Sequence, residues 1–190
     1  MTVESLSMRD FAHVEDDRIV RLVQFWLAAR EGGLVPTVDR IDPTDFAFAL
    51  SHVWLCDVVN DDPTGRWRYR IVGDEVRLAH GHNIVGKTLE SITDASALPR
   101  VENYFAIATD RPAVVHITGR IYAEAEYPAR GERIILPFLD PGTGRVGRLL
   151  GATFHSYLEK GFPVGSVPMT QTRTYTPVDG GAVTVEWSES

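Results

Sequence analysis

The chain has 190 residues, 44% hydrophobic and 24% charged, enough to bury a core without disulfides or a structural metal. Its net charge of -7 and pI near 5.3 argue against a general nucleic-acid-binding surface. Cys56 is the single cysteine, so no internal disulfide forms and a reducing compartment fits. No apolar run approaches the ~20 residues of a membrane span. The acidic start MTVESLSMRDFAHVEDD lacks the apolar segment of a signal peptide, and the expectation is a cytoplasmic protein. All but two of the 19 basic residues, Lys87 and Lys160, are arginine, so arginine alone marks no site.

In chain order, Ile19, Leu22, Val23, Trp26 and Leu27 recur at helical spacing, and Gly32-Gly33 supplies a stop, predicting a helix over 17–31 capped by Asp16 or Asp17. Its apolar stripe is too broad for a solvated helix and must pack on the domain or on a second copy. Asp42 reads as the cap and Pro43 as the first residue of a short helix over 43–50. The run HVWLCDVV predicts a strand over 52–59, and Asn60 to Gly65 a turn. Strict alternation over 66–72 predicts a second strand. It sets Arg66, Arg68 and Arg70 on a solvated or ion-paired face and Trp67, Tyr69 and Ile71 on the other.

After Gly73 the pattern turns to short helices, the longest over 98–108 with Val101, Tyr104, Phe105 and Ala108 on one side. Strands are predicted at 113–122, 132–139 and 148–157, with turns over 124–131 and 141–147. Beyond 159 the chain is rich in Gly, Pro, Ser and Thr. Segments 172–176 and 182–187 flank Asp179-Gly180-Gly181 as a hairpin or a mobile tail. Two strands, a helical crossover and three more strands imply an α+β fold with an antiparallel sheet.

That order resembles the PAS sensor fold. Several stretches are similar to a bacterial family of short, mostly single-PAS proteins that includes a motility regulator. They are Phe25-Trp26 with Arg30, Arg40-Ile41-Asp42-Pro43, Tyr69-Arg70-Ile71-Val72-Gly73, Gly81 through Gly86-Lys87-Thr88-Leu89, and Leu136-Pro137-Phe138. The similarity runs from about residue 17 to 157. It implies a five-stranded antiparallel sheet with helices on one face over 43–158, an N-terminal extension with its helix over 1–42, and a C-terminal tail or hairpin over 159–190. It also implies a signalling domain that binds a small ligand or a protein partner, and it implies no catalytic residue.

Haem-binding relatives place a histidine on the long helix before the third strand, and 98–108 has none. His80, His82 and His116 read as loop or satisfied strand histidines. Photoreactive flavin domains carry a cysteine where this chain has Asn83-Ile84-Val85-Gly86, so no cofactor is assigned. His80-Gly81-His82 lacks a third spaced metal ligand. The stretch Gly142 to Gly147 precedes a strand rather than opening a helix, so it reads as a hairpin loop and not a dinucleotide site.

What remains is a cavity lining. The expected ligand-binding residues are Trp54, Cys56, Trp67, Tyr69, Tyr104, His116, Arg120, Phe138 and Phe154. The alternating sets Val114, His116, Thr118, Arg120 and Leu150, Ala152, Phe154, Ser156 either line the cavity, where a polar or anionic ligand would satisfy them, or face outward under the N-terminal helix. The functional expectation is a cytoplasmic regulatory module with a small-molecule ligand, a homodimer formed through the 17–31 helix, and a signalling protein partner, without nucleic acid or membrane. Two alternatives stand beside it. One is a fully packed interaction module. The other is a small cone-fold isomerase or dehydratase, for which only His116 and Tyr69 offer acid–base groups.

Overall fold

The computed structural model describes residues 6–121, 129–157 and 170–188. The carboxylate of Asp16 accepts a hydrogen bond from the Arg18 backbone N–H (2.9 Å) and opens helix α1 (Asp17–Ala29). Asp42 does the same for Thr44 (2.8 Å), with Pro43 first in a kinked 3-10 segment, Pro43–His52. That segment leads directly into strand β1 (Val53–Val58), which pairs with β2 (Trp67–Val72). Three helices follow, α2 (Asp74–His80), α3 (Leu89–Ile92) and α4 (Leu98–Asp110). The remaining strands are β3 (Ala113–Ile121), β4 (Ala129–Leu139), β5 (Val146–Tyr157), β6 (Gln171–Pro177) and β7 (Thr184–Ser188).

Among the described residues these strands form one sheet in the order β2-β1-β5-β4-β3-β6-β7, with every pairing antiparallel. The sequence predicts five strands and, over 172–176 and 182–187, either a hairpin or a mobile tail; the segment is a hairpin that joins the same sheet. The last two strands come from this Gly- and Thr-rich C-terminal segment, where Gly180 takes the left-handed conformation (φ 75°) at the turn and β6 pairs with β3. The expected turn over 124–131 and the expected boundary near 158 fall partly outside the described residues. The β2 edge is covered: the Tyr69 N–H donates to Lys87 O (2.9 Å) and the Gly86 N–H donates to Tyr69 O (2.7 Å).

Both faces of the sheet's central strands are buried. On one face lie α1 and the N-terminal turn. Ile19, Leu22, Val23 and Trp26 are fully buried with Leu136, Phe138, Leu150 and Phe154, and the Trp26 indole N–H donates to Pro137 O (2.8 Å). The broad stripe of α1 is therefore taken up by the chain's own sheet. On the other face, α2, α3 and α4 pack over Trp54, Cys56, Trp67, Tyr69, Val115 and Ile117.

Just before and along β2, Arg66, Arg68 and Arg70 pair with Asp110, Asp62 and Asp57 respectively. Asp57 also takes Arg148 (2.8 Å), joining β1, β2 and β5. The expected partner of Trp67 and Tyr69, Ile71, does not follow them inward. A bulge sets Cys56 opposite Tyr69 but Leu55 opposite Ile71, leaving Arg70 as the extra residue. Alternation reverses there, so Ile71 is 47% exposed while Val72 packs with the aromatic core.

Candidate functional site

Between the sheet and helices α2–α4 lies a cavity of about 760 Å³, within the range of small-molecule sites. Its apolar side is built on aromatic packing. Trp54 stacks on Phe105 (5.3 Å between centroids, 11° between planes) and meets Tyr69 edge-on at 5.7 Å. Tyr104 adjoins Phe105 at 5.6 Å. Trp67 is held behind this layer: its indole N–H donates to Thr109 Oγ1 (3.1 Å), whose hydroxyl donates in turn to Phe105 O (2.8 Å). Val76, Leu89, Ile92 and Val101 add to the apolar lining.

The polar side comes from elements far apart in sequence. Arg100 lies in the first turn of α4, one turn before Tyr104. Arg120 stands at the end of β3, beside Gly119, whose φ of 107° departs from strand geometry. Arg133 on β4 is oriented by its Nε–H, which donates to Thr153 Oγ1 on β5 (2.9 Å). Tyr157, Gln171, His80 and His82 join them. The Gln171 amide donates to Arg120 O (3.0 Å). Burial pushes the His80 pKa down to about 4, with the charges of Arg133 and His82 adding to the shift.

Of the residues expected to bind a ligand, Trp54, Tyr69, Tyr104 and Arg120 line this cavity. Cys56 and Trp67 belong to the same core but stand behind the lining. Cys56 is fully buried, and burial drives its thiol pKa well above the ordinary value, which makes it a small inert hydrophobe.

His116, Phe138 and Phe154 lie on the opposite face. His116 Nε2 is 2.8 Å from Glu132 Oε2, and its ring lies 5.0 Å from that of His13. Phe138 and Phe154 pack under the N-terminal segment. Arg100, Arg133, Tyr157 and Gln171 went unrecognised in the sequence. For Arg100 a signal was present, since its four-residue spacing from Tyr104 places both on one helix side. For Arg133 and Tyr157 the strand parity was legible, but which face held the cavity was not.

A family model described as a PAS domain matches residues 15–154. The chain belongs to the PAS domain family. No curated protein and no solved structure matches it. In this PAS domain the matched region takes in the α1 helix and the sheet as far as β5. It thus includes most of the cavity lining, while β6 and β7 lie beyond it. No helix among the described residues is long and apolar enough to cross a membrane. Among those residues, no group of three or more His, Cys, Asp or Glu side chains is placed to hold a metal ion.

Proposed function

We propose that this PAS domain is a sensory and regulatory protein of the cytoplasm that takes a small ligand between its sheet and helices α2–α4. Occupancy would bias contact with a protein partner by favouring one of two conformations of that helical layer. The observation that carries this reading is the cavity itself, about 760 Å³ lined by side chains from six sheet strands and three helices. It weighs against the fully packed interaction module, whose interior would have no such space. The lining offers binding groups rather than a paired acid and base, which supports a sensor over a cone-fold enzyme. The resemblance to short bacterial single-PAS proteins, one of them a motility regulator, points to the same role.

A second copy of the chain is one proposed partner. Contact through α1 would use its outward residues, Arg21, Gln24 and Ala28, because Ile19, Leu22, Val23 and Trp26 are already buried against the sheet.

Native mass spectrometry of freshly purified protein tests the reading. The expected spectrum shows a small-molecule adduct that is lost on denaturation, and a dimer. A ligand-free monomer whose melting temperature no fraction of a small-molecule cell extract raises would overturn it.

A further inference from the structure

The cavity has a charge of its own, opposite to that of the chain. The protein carries a net charge of -7, yet among the described residues the charged side chains of this lining are three arginines and one carboxylate, Asp94. Asp94 is exposed and already accepts hydrogen bonds from the Ser96 backbone N–H (2.8 Å) and hydroxyl (2.7 Å). The arginines come from α4, β3 and β4, so no local sequence cluster explains their place in one cavity lining.

The position of Arg100 is itself telling. It stands in the first turn of α4, a turn without any acidic residue and without a side-chain cap, where a cation opposes the helix dipole. Among the described residues Arg100 has no ion-pair partner. Trp54, Tyr69 and Tyr104 give the same cavity an aromatic wall.

We infer that the cavity takes an organic anion, its acid group held by Arg100, Arg120 and Arg133 and its apolar body set against Trp54, Tyr69 and Tyr104. The inference rests on the ligand-sensing reading above and names the chemical class of that ligand. Planar guanidinium groups suit a carboxylate, sulfonate or phosphate, each of which accepts two parallel hydrogen bonds. The aromatic wall excludes a bare inorganic ion as the best fit, because such an ion would leave that surface uncovered.

Two fluorescent probes separate charge from shape. 8-Anilinonaphthalene-1-sulfonate and N-phenyl-1-naphthylamine share one ring system and differ in the sulfonate. The sulfonate should bind saturably at one per folded chain and at least about tenfold more tightly than the neutral amine, as a charge-assisted hydrogen bond predicts. Arg100→Gln should weaken the sulfonate about tenfold and leave the amine unchanged, while Arg100→Lys, which keeps the charge, should retain most of the affinity. Sodium chloride titrated into the unaltered protein should weaken the sulfonate alone, a check that does not depend on any variant folding.

Equal affinity for both probes, indifferent to Arg100 and to salt, would overturn the anion assignment while leaving a ligand-binding cavity in place. Failure of both probes to enter would overturn this inference together with the ligand-sensing reading.

Discussion

The indole of Trp54 on β1 lies against the backbone of its register partner Gly151 on β5, so closely that a Cβ at 151 would overlap the six-membered ring. The absence of a side chain on β5 is what lets Trp54 lie flat under Phe105 and form the cavity wall. Gly151→Ala would displace the indole and break the stack. The expected cost is roughly 1–3 kcal/mol, the range of overpacking in a rigid core. It should appear as a lower urea midpoint with red-shifted tryptophan fluorescence. An unchanged midpoint would mean that the indole moves freely.

The bulge between β1 and β2 makes neighbouring residues of similar character behave differently. Ile71 is 47% exposed, so Ile71→Ser should alter stability by no more than about 0.5 kcal/mol. Tyr69 is 6% exposed and packs on Trp54, so Tyr69→Ala should cost about 3–5 kcal/mol. Chemical denaturation of the two variants tests the register. Comparable losses would place Ile71 on the same face as Tyr69 and contradict the bulge.

Trp26 ties α1 to β4 through a buried hydrogen bond to the Pro137 carbonyl. Trp26→Phe keeps most of the apolar contact and removes the donor. The stranded carbonyl should cost about 1–3 kcal/mol. Hydrogen exchange should then show α1 opening more readily than α4. Equal protection of the two helices would argue that the bond contributes little to docking α1.

Acid should loosen the protein through its histidines. Burial lowers the pKa of His13, His80 and His116 below the ordinary value of 6.5, for His80 to about 4, so the folded state holds them neutral. As pH falls below 6.5 the unfolded chain takes up protons that the folded chain does not. Stability from this source is complete above 6.5 and declines on acidification, for His80 until the pH reaches about 4. At pH 5 the His80 share is on the order of 2 kcal/mol. Urea midpoints from pH 7.5 to 5 should fall, and more gently in His80→Gln. A variant with the same slope as the parent protein would remove His80 from this account.

Much of the architecture was readable from the sequence, because it depends on periods and caps that are local. Asp16 and Asp42 start helical segments where their side chains reach the free N–H groups, and the arginines of β2 stand on an ion-paired face. The PAS-type order of strands, helical crossover and strands was equally legible. Trp54, Tyr69, Tyr104 and Arg120, expected to bind a ligand, line the cavity between the sheet and the helices.

The tertiary structure decided what alternation leaves open. A strand's period of two separates its faces without saying which one meets the cavity, so His116, Phe138 and Phe154 were grouped with residues from which the sheet divides them. The bulge that turns Ile71 outward and the placing of Arg100, Arg120 and Arg133 in one cavity lining depend on pairings between distant segments, which no local pattern encodes. The aromatic strand RWRYRIV was evident from composition and period. The arginines that share its cavity follow only from the tertiary fold, in the sheet order β2-β1-β5-β4-β3 with α4 packed over it.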